Sequence, residues 1–216
     1  MILEPVRQIL SSYESVWPRG RIPYEGMDQT LEQKILSEIA DFVEAHPDAL
    51  ERSCKRGHIT TSALVVNPAM DKVLLMLHAK LGKWLQLGGH ADGDSDLAAS
   101  ALREAREESG REDVQFLAWE KAFASPKLVP RPLPFDCDVH EIPARKSDPM
   151  HFHYDLRYLC VLDDSLPLII NEESHDLRWL TLDEARSFTT ELSMLRQFAK
   201  LEALRSHTVL KHDILN

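Results

Sequence analysis

The sequence predicts an α/β fold with a helical N-terminal extension. Three observations carry this. From His58 onward, apolar runs of strand length alternate with turn residues. One helix-length stretch, residues 96–109, interrupts those runs with apolar residues on a single face. Amphipathic helical patterns also occur near both ends, at Asp28–His46 and from Leu192 to about Arg205.

Residues 1–27 are mixed, and Pro5, Pro18, Gly20, Pro23 and Gly26 are expected to break any long element there. Asp28 is placed to cap the next helix, with Leu31, Ile35, Ile39, Phe42 and Val43 as its apolar stripe and Pro47 after its end. His58–Asn67 and Lys72–Leu77 read as strands separated by turn residues, and Trp84–Leu87 as a short strand entering Gly88-Gly89. In the helix at 96–109, Asp94 and Ser95 stand where a cap is needed. Val114–Ser125 is an apolar run expected to return to the sheet.

Six prolines, at positions 126, 130, 132, 134, 143 and 149, exclude a helix over 126–149, and Phe135–Ile142 alternates as an edge strand would. His151–Leu162 alternates more clearly. Phe152, Tyr154, Leu156, Tyr158 and Cys160 take one face, and His151, His153, Asp155 and Arg157 the other. Asp176–Leu180 is a further strand, followed by a helix from Leu182–Asp183 and a last helix with Leu195, Phe198, Leu201 and Leu204 on one side. There is no internal repeat or low-complexity segment. Residues 1–55 are expected to pack as a helical extension on a single domain spanning 56–216 that ends in the C-terminal helix.

The chain has 216 residues and a formal net charge of −10. That charge argues against nucleic-acid or anionic-membrane partners, both of which need a basic surface. An anionic substrate would have to approach through a metal or a local basic patch. Cys54, Cys137 and Cys160 lack metal-ligand spacing and read as reduced thiols of the cytoplasm. The first residues carry no signal-peptide pattern, and no apolar run approaches the roughly 18–20 residues that cross a membrane.

The chemistry concentrates at the end of the 96–109 helix, in Arg103, Glu104, Glu107 and Glu108, closed by Gly110. At 100° per residue the three glutamates fall in one narrow arc, with Leu97, Ala98, Ala101, Leu102 and Ala105 opposite. Like charges at this spacing destabilise a helix by roughly 0.2–0.5 kcal/mol per pair. Arg103 offsets part of this by pairing with Glu107. The remainder calls either for solvent around an acidic face or for a cation, and hard divalent ions take carboxylate oxygens.

The stretch from Gly89 to Arg111 resembles the Nudix box, Gx5Ex7REUxEExGU, where U is a bulky aliphatic residue. Gly89, Arg103, Glu104, Glu107, Glu108 and Gly110 match at the right spacing. Ser95 stands where the box has its first Glu, Ala105 is small for its slot, and Arg111 replaces the closing aliphatic. The resemblance implies an α/β/α sandwich around a mixed sheet. It implies hydrolysis of a pyrophosphate bond in a nucleoside diphosphate linked to another moiety, using Mg²⁺ or Mn²⁺. Glu104, Glu107 and Glu108 would hold the metal with a backbone carbonyl at Gly89, and Arg103 would support them. In the family the first Glu helps hold the Arg, a task open here to Asp94 or Asp96.

The general base varies within the family and often lies outside the box. Glu172 and Glu173 occupy the loop where several members carry it, so Glu173 is either that base or part of a solvated pair. His90 follows the glycines, and His140, His151 and His153 can gather on one face of adjacent strands, as ordinary hydrogen-bonded histidines or as a binding surface. His153, Asp155 and Arg157 are the candidates for contact with substrate phosphate or ribose, Arg157 as the anion clamp. The expected partner is a small nucleotide-type molecule. The extension is expected to serve packing or homodimerisation, or to form a lid. Two other uses of the fold stay open. One is a non-catalytic nucleotide-binding module, which the intact carboxylates disfavour. The other is an enzyme like isopentenyl diphosphate isomerase, whose Gly-His metal ligand His90 resembles but whose catalytic cysteine is replaced by Gly88.

Overall fold

The computed structural model describes residues 3–15, 24–122, 132–145, 148–170 and 174–206. The expected helical extension is present, and its first helix, α1 (Glu4–Glu14), includes Pro5, one of the residues expected to break a long element. The reason is local: Pro5 sits in the first turn, where its missing N–H costs nothing and its fixed φ suits a helix. Helix α2 (Gln29–Ala45) starts at Asp28, whose carboxylate accepts the amides of Thr30 and Leu31. Ile35, Ile39, Phe42 and Val43 are buried as their spacing predicts, whereas Leu31 is exposed and Leu36 buried instead.

The sheet is mixed and has eight strands among the described residues. Its centre is β1 (Gly57–Val66) beside β7 (His151–Val161), the one parallel pair among the described residues, aligned from Gly57 opposite Phe152 to Val66 opposite Val161. Strand β1 also pairs antiparallel with β4 (Leu87–His90) and, at Val65 and Val66, with β2 (Lys72–His78). The short β3 (Trp84–Leu85) and β8 (Ser174–Thr181) flank β2. Within the described part of the apolar run at 114–125, the expected return to the sheet is β5 (Gln115–Phe116), which meets the end of β7 before the chain turns into a 3-10 segment at Trp119–Ala122. The expected edge strand is β6 (Asp136–Ile142), paired with β7.

Helix α3 (Leu97–Ser109) lies between β4 and β5 in the chain and closes at Gly110, which takes the left-handed conformation at φ 65. Its cap is Asp96, not Asp94 or Ser95: the Asp96 carboxylate accepts the Ala99 amide, and Asp94 in turn accepts the Asp96 amide. Helix α4 (Leu182–Phe188) opens with a reciprocal cap between Thr181 and Glu184. Helix α5 (Leu192–Ser206) ends the described chain.

Two apolar clusters form the core. The larger joins Val6, Leu10 and Tyr13 of α1 and Ile39 and Phe42 of α2 to Phe135 and to Phe198 and Leu201 of α5. The smaller packs Ala105 of α3 on Ala63, Val65, Leu74 and Leu87. Small residues on the inner side of α3 let the helix lie close to the sheet, which brings its glutamates to β4. No helix among the described residues is long and apolar enough to cross a membrane.

Candidate active site

The carboxylates of α3 meet the backbone of β4 at two consecutive glycines. Glu108 is buried and accepts the Gly88 amide at 2.7 Å. The Glu104 carboxylate lies so close to Gly89 that a Cβ on that residue would stand 2.5 Å from Glu104 Cδ and 2.7 Å from both its oxygens. A side chain there would therefore displace the Glu104 carboxylate. Arg103 bridges two of the acids, with Nη2 2.8 Å from Glu104 Oε1 and Nη1 3.0 Å from Glu107 Oε2. Glu107 is 58% exposed and turned along the helix to that arginine. The hydrogen bonds of Arg103 thus go to the box itself, while Asp94 and Asp96, beside Ser95, cap the helix.

One face of the sheet beneath the glycines is polar over three rows. Cross-strand register places Asp136, Arg157, Ser62 and Gly88 in the first row. Asp138, Asp155, Thr60 and His90 form the second, and His140, His153 and His58 the third. Arg157 was expected to clamp an anion, but it is buried and already enclosed by carboxylates. It lies 2.8 Å from Asp155, 3.0 Å from Asp138 and 3.3 Å from Asp136. Asp155 is buried too, accepting from Thr60, Ser62 and Arg157. Alternation along β7 revealed their common face, but not the acids of β6 that meet them.

The first row continues outward through charged residues of the helices. Arg196 of α5 donates to both oxygens of Asp136, at 2.9 and 2.8 Å, and Lys200 approaches Asp136 and Glu32 of α2 at 2.7 Å each. Tyr13 and Tyr24 donate to Glu32 at 3.1 and 2.7 Å. Burial alone would raise the Asp136 carboxyl, but the charges of Arg196, Lys200 and Arg157 outweigh it and hold it at about 2. Asp138 is held low in the same way, with Arg157 as its main counter-charge.

The third row gathers more imidazoles than the spacing suggested. His58 lies 4.9 Å from His90, 5.2 Å from His151 and 4.8 Å from His153 between ring centroids. His140 adds a ring 5.4 Å from His153. His58 read as one residue of an apolar strand, and only its pairing with β7 brings it here. Burial, reinforced by the neighbouring rings, lowers His58 to about 4 and His153 to about 2. Burial and then Arg52 lower His90 to about 4. Glu173, the candidate base, and Glu172 lie outside the described residues.

Residues 57–201, more than half of the chain, match the NUDIX domain family. The chain belongs to the Nudix family. It is accordingly an enzyme that hydrolyses a pyrophosphate bond. Solved Nudix-type structures resemble it at low identity. An Ap4A hydrolase from C. elegans is 16% identical over 67% of this chain and 95% of its own, at a TM-score of 0.48. A NUDIX-family hydrolase from Clostridium perfringens is 24% identical over 68% and 97%, at 0.46. The E. coli dihydroneopterin triphosphate pyrophosphohydrolase is 12% identical over 70% and 94%, at 0.47. No curated protein matches the chain.

The donors at the Nudix box fit a hard divalent cation. They are carboxylate oxygens on one helix, beside a glycine backbone that leaves Glu104 room to approach. Two sets of three potential ligand atoms lie within 4.8 Å of one another among the described residues, and both involve other side chains: His58, His151 and His153, and His46, Asp48 and Cys54.

Proposed function

We propose that this Nudix protein cleaves the pyrophosphate bond of a nucleoside diphosphate linked to another moiety, with Mg²⁺ held by Glu104, Glu107, Glu108 and the carbonyl of Gly89. The observation that carries this is the seating of Glu104 and Glu108 on Gly89 and Gly88. When bound, the dication supplies charge neutralisation of the phosphoryl oxygens and an acidified water. The Gly88 amide fixes the Glu108 carboxylate, so its oxygens need no reorganisation to receive positive charge. Arg103 holds Glu104 and Glu107 against their mutual repulsion. Arg157 and Asp155 brace the face of the sheet opposite α3, behind the glycine strand, because their polar atoms are engaged with each other and with their neighbours. The three buried thiols accord with a reducing cytoplasm.

The test is a screen of ADP-ribose, sugar nucleotides, dinucleoside polyphosphates, oxidised nucleotides and coenzyme A with Mg²⁺, read as phosphate released after phosphatase coupling. On the best substrate, Glu108→Gln keeps an oxygen for the Gly88 amide and removes the charge. Turnover is expected to fall by about 10²–10³-fold, more than apparent substrate affinity does. Chelator should abolish turnover. Undiminished turnover in the chelated enzyme, or in the folded variant, would reject the metal-dependent reading.

A further inference from the structure

Five imidazoles crowd one end of the sheet, and none of them belongs to the carboxylate set on α3. Their positions follow from register. His58 faces His153 across the parallel pair, and His153 faces His140. His151 is two residues before His153 on the same strand, hence on the same face. His90 stands in the adjoining row opposite Thr60.

Two features distinguish this cluster from ordinary packing. Both ring nitrogens of His58 are buried without a hydrogen-bond partner among the described residues. A neutral imidazole carries one donor and one acceptor, and buried ones ordinarily satisfy at least one of them. The second feature is the fixing of tautomers around it. His151 Nδ1 lies 2.9 Å from the Pro149 carbonyl oxygen. That oxygen only accepts, so Nδ1 carries the proton and Nε2 presents its lone pair. His140 Nδ1 stands 3.2 Å from Asp138 Oδ2 in the same relation. A histidine tied through one nitrogen to a carbonyl or a carboxylate is how proteins orient an imidazole toward a metal.

We propose that His58, His151 and His153 form a binding site for one divalent cation of the zinc class, separate from the carboxylate site on α3. Their ligand atoms lie within 4.8 Å of one another. Two nitrogens on one zinc ion stand at most about 4.2 Å apart, so small side-chain rotations close the set. Neutral nitrogen donors select zinc, cobalt, nickel or copper over magnesium, which prefers oxygen. The two sites lie on opposite faces of β4, because successive residues of a strand alternate: Gly89 abuts Glu104, and His90 turns toward the imidazoles. Three protein ligands leave a fourth position open to water or to an anionic oxygen.

The test is a Co²⁺ titration of the chelator-stripped full chain in excess Mg²⁺, read as visible d–d absorption and as bound metal after gel filtration. One equivalent is expected, displaced by Zn²⁺ and retained in Glu108→Gln. His58→Gln and His153→Gln should lose it. The half-buried His151 is the safer position for folding, and a folded His151→Ala should bind Co²⁺ at least about tenfold more weakly. The proposal is overturned if the wild-type chain binds no Co²⁺ in excess Mg²⁺, if folded His151→Ala binds as wild type, or if Glu108→Gln abolishes binding. Metal binding is read without turnover, so it stands or fails independently of the hydrolase reading.

Discussion

Gly88 and Gly89 are neighbours with different tasks. A side chain at Gly89 would meet the carboxylate of Glu104, the movable end of a side chain. A side chain at Gly88 would stand 2.6 Å from the Ser62 Cα and from the Thr61 carbonyl oxygen, and the Gly88 φ of +153 is one that other residues rarely adopt. Gly89→Ala should therefore fold with little change in melting temperature but lose on the order of 10²-fold in turnover, because Glu104 is displaced. Gly88→Ala should lose stability instead, about 1–3 kcal/mol from the backbone alone. Thermal unfolding and turnover measured on both variants check the division. A loss of activity at Gly88 without loss of stability would contradict it. The glutamates were legible in the sequence because helix geometry and the box are both local patterns. His58 was not, since nothing near it in the chain marks it, and its neighbours arrive from β7. Arg157 was legible as a polar-face residue, but its burial depends on acids supplied by another strand.

At the level of elements, α3 shows how a one-residue error in reading a cap arises. Asp94, Ser95 and Asp96 are all good capping residues, and the choice among them depends on the backbone turn before the helix. Asp94 receives the Asp96 amide, which leaves the Asp96 carboxylate to take the amide of Ala99. Asp96→Ala should cost about 1 kcal/mol and lower the melting temperature by roughly 2–4 °C for a chain of this size. Ser95→Ala should leave it unchanged. Differential scanning calorimetry separates the two, and an equal loss for both would reassign the cap. The helical extension was legible, but the place of α1 within it was not, for a related reason. A proline reads as a breaker unless it falls in the first turn, and that position is known only once the helix start is known. The run at 114–125 returns to the sheet as read, but in its described part the pairing is short, at Gln115 and Phe116, while Val114, Leu117 and Trp119 are buried beside it.

Across the whole molecule, the charged network around Asp136 connects α2, β6, β7 and α5. Asp136 and Asp138 titrate below the ordinary carboxylate range in the folded chain, Asp136 at about 2. An unfolded aspartate titrates near 3.9, so the unfolded chain binds protons first as pH falls. The stabilisation is therefore fully present above about pH 4 and is lost as pH drops from there toward 2. For Asp136 it is on the order of 2 kcal/mol at neutral pH. Urea midpoints measured between pH 5 and 2 should decline steeply in the wild-type chain. Asp136→Asn should be less stable at neutral pH and should flatten that decline. A parallel decline in both proteins would show that other groups control acid stability.

The parallel pairing of β1 with β7 has a consequence for synthesis. Thr60 and Asp155, hydrogen-bonded across that pair, are 95 residues apart in the chain. At about 5–20 residues per second, the ribosome needs on the order of 5–20 s to deliver the second strand after the first. During that interval Ile59, Ala63, Leu64 and Val65 of β1 lack the neighbour that buries them in the finished sheet. The nascent chain thus depends on its early antiparallel partners, β2 and β4, to shelter β1, and its exposure to aggregation is set by the length of that wait.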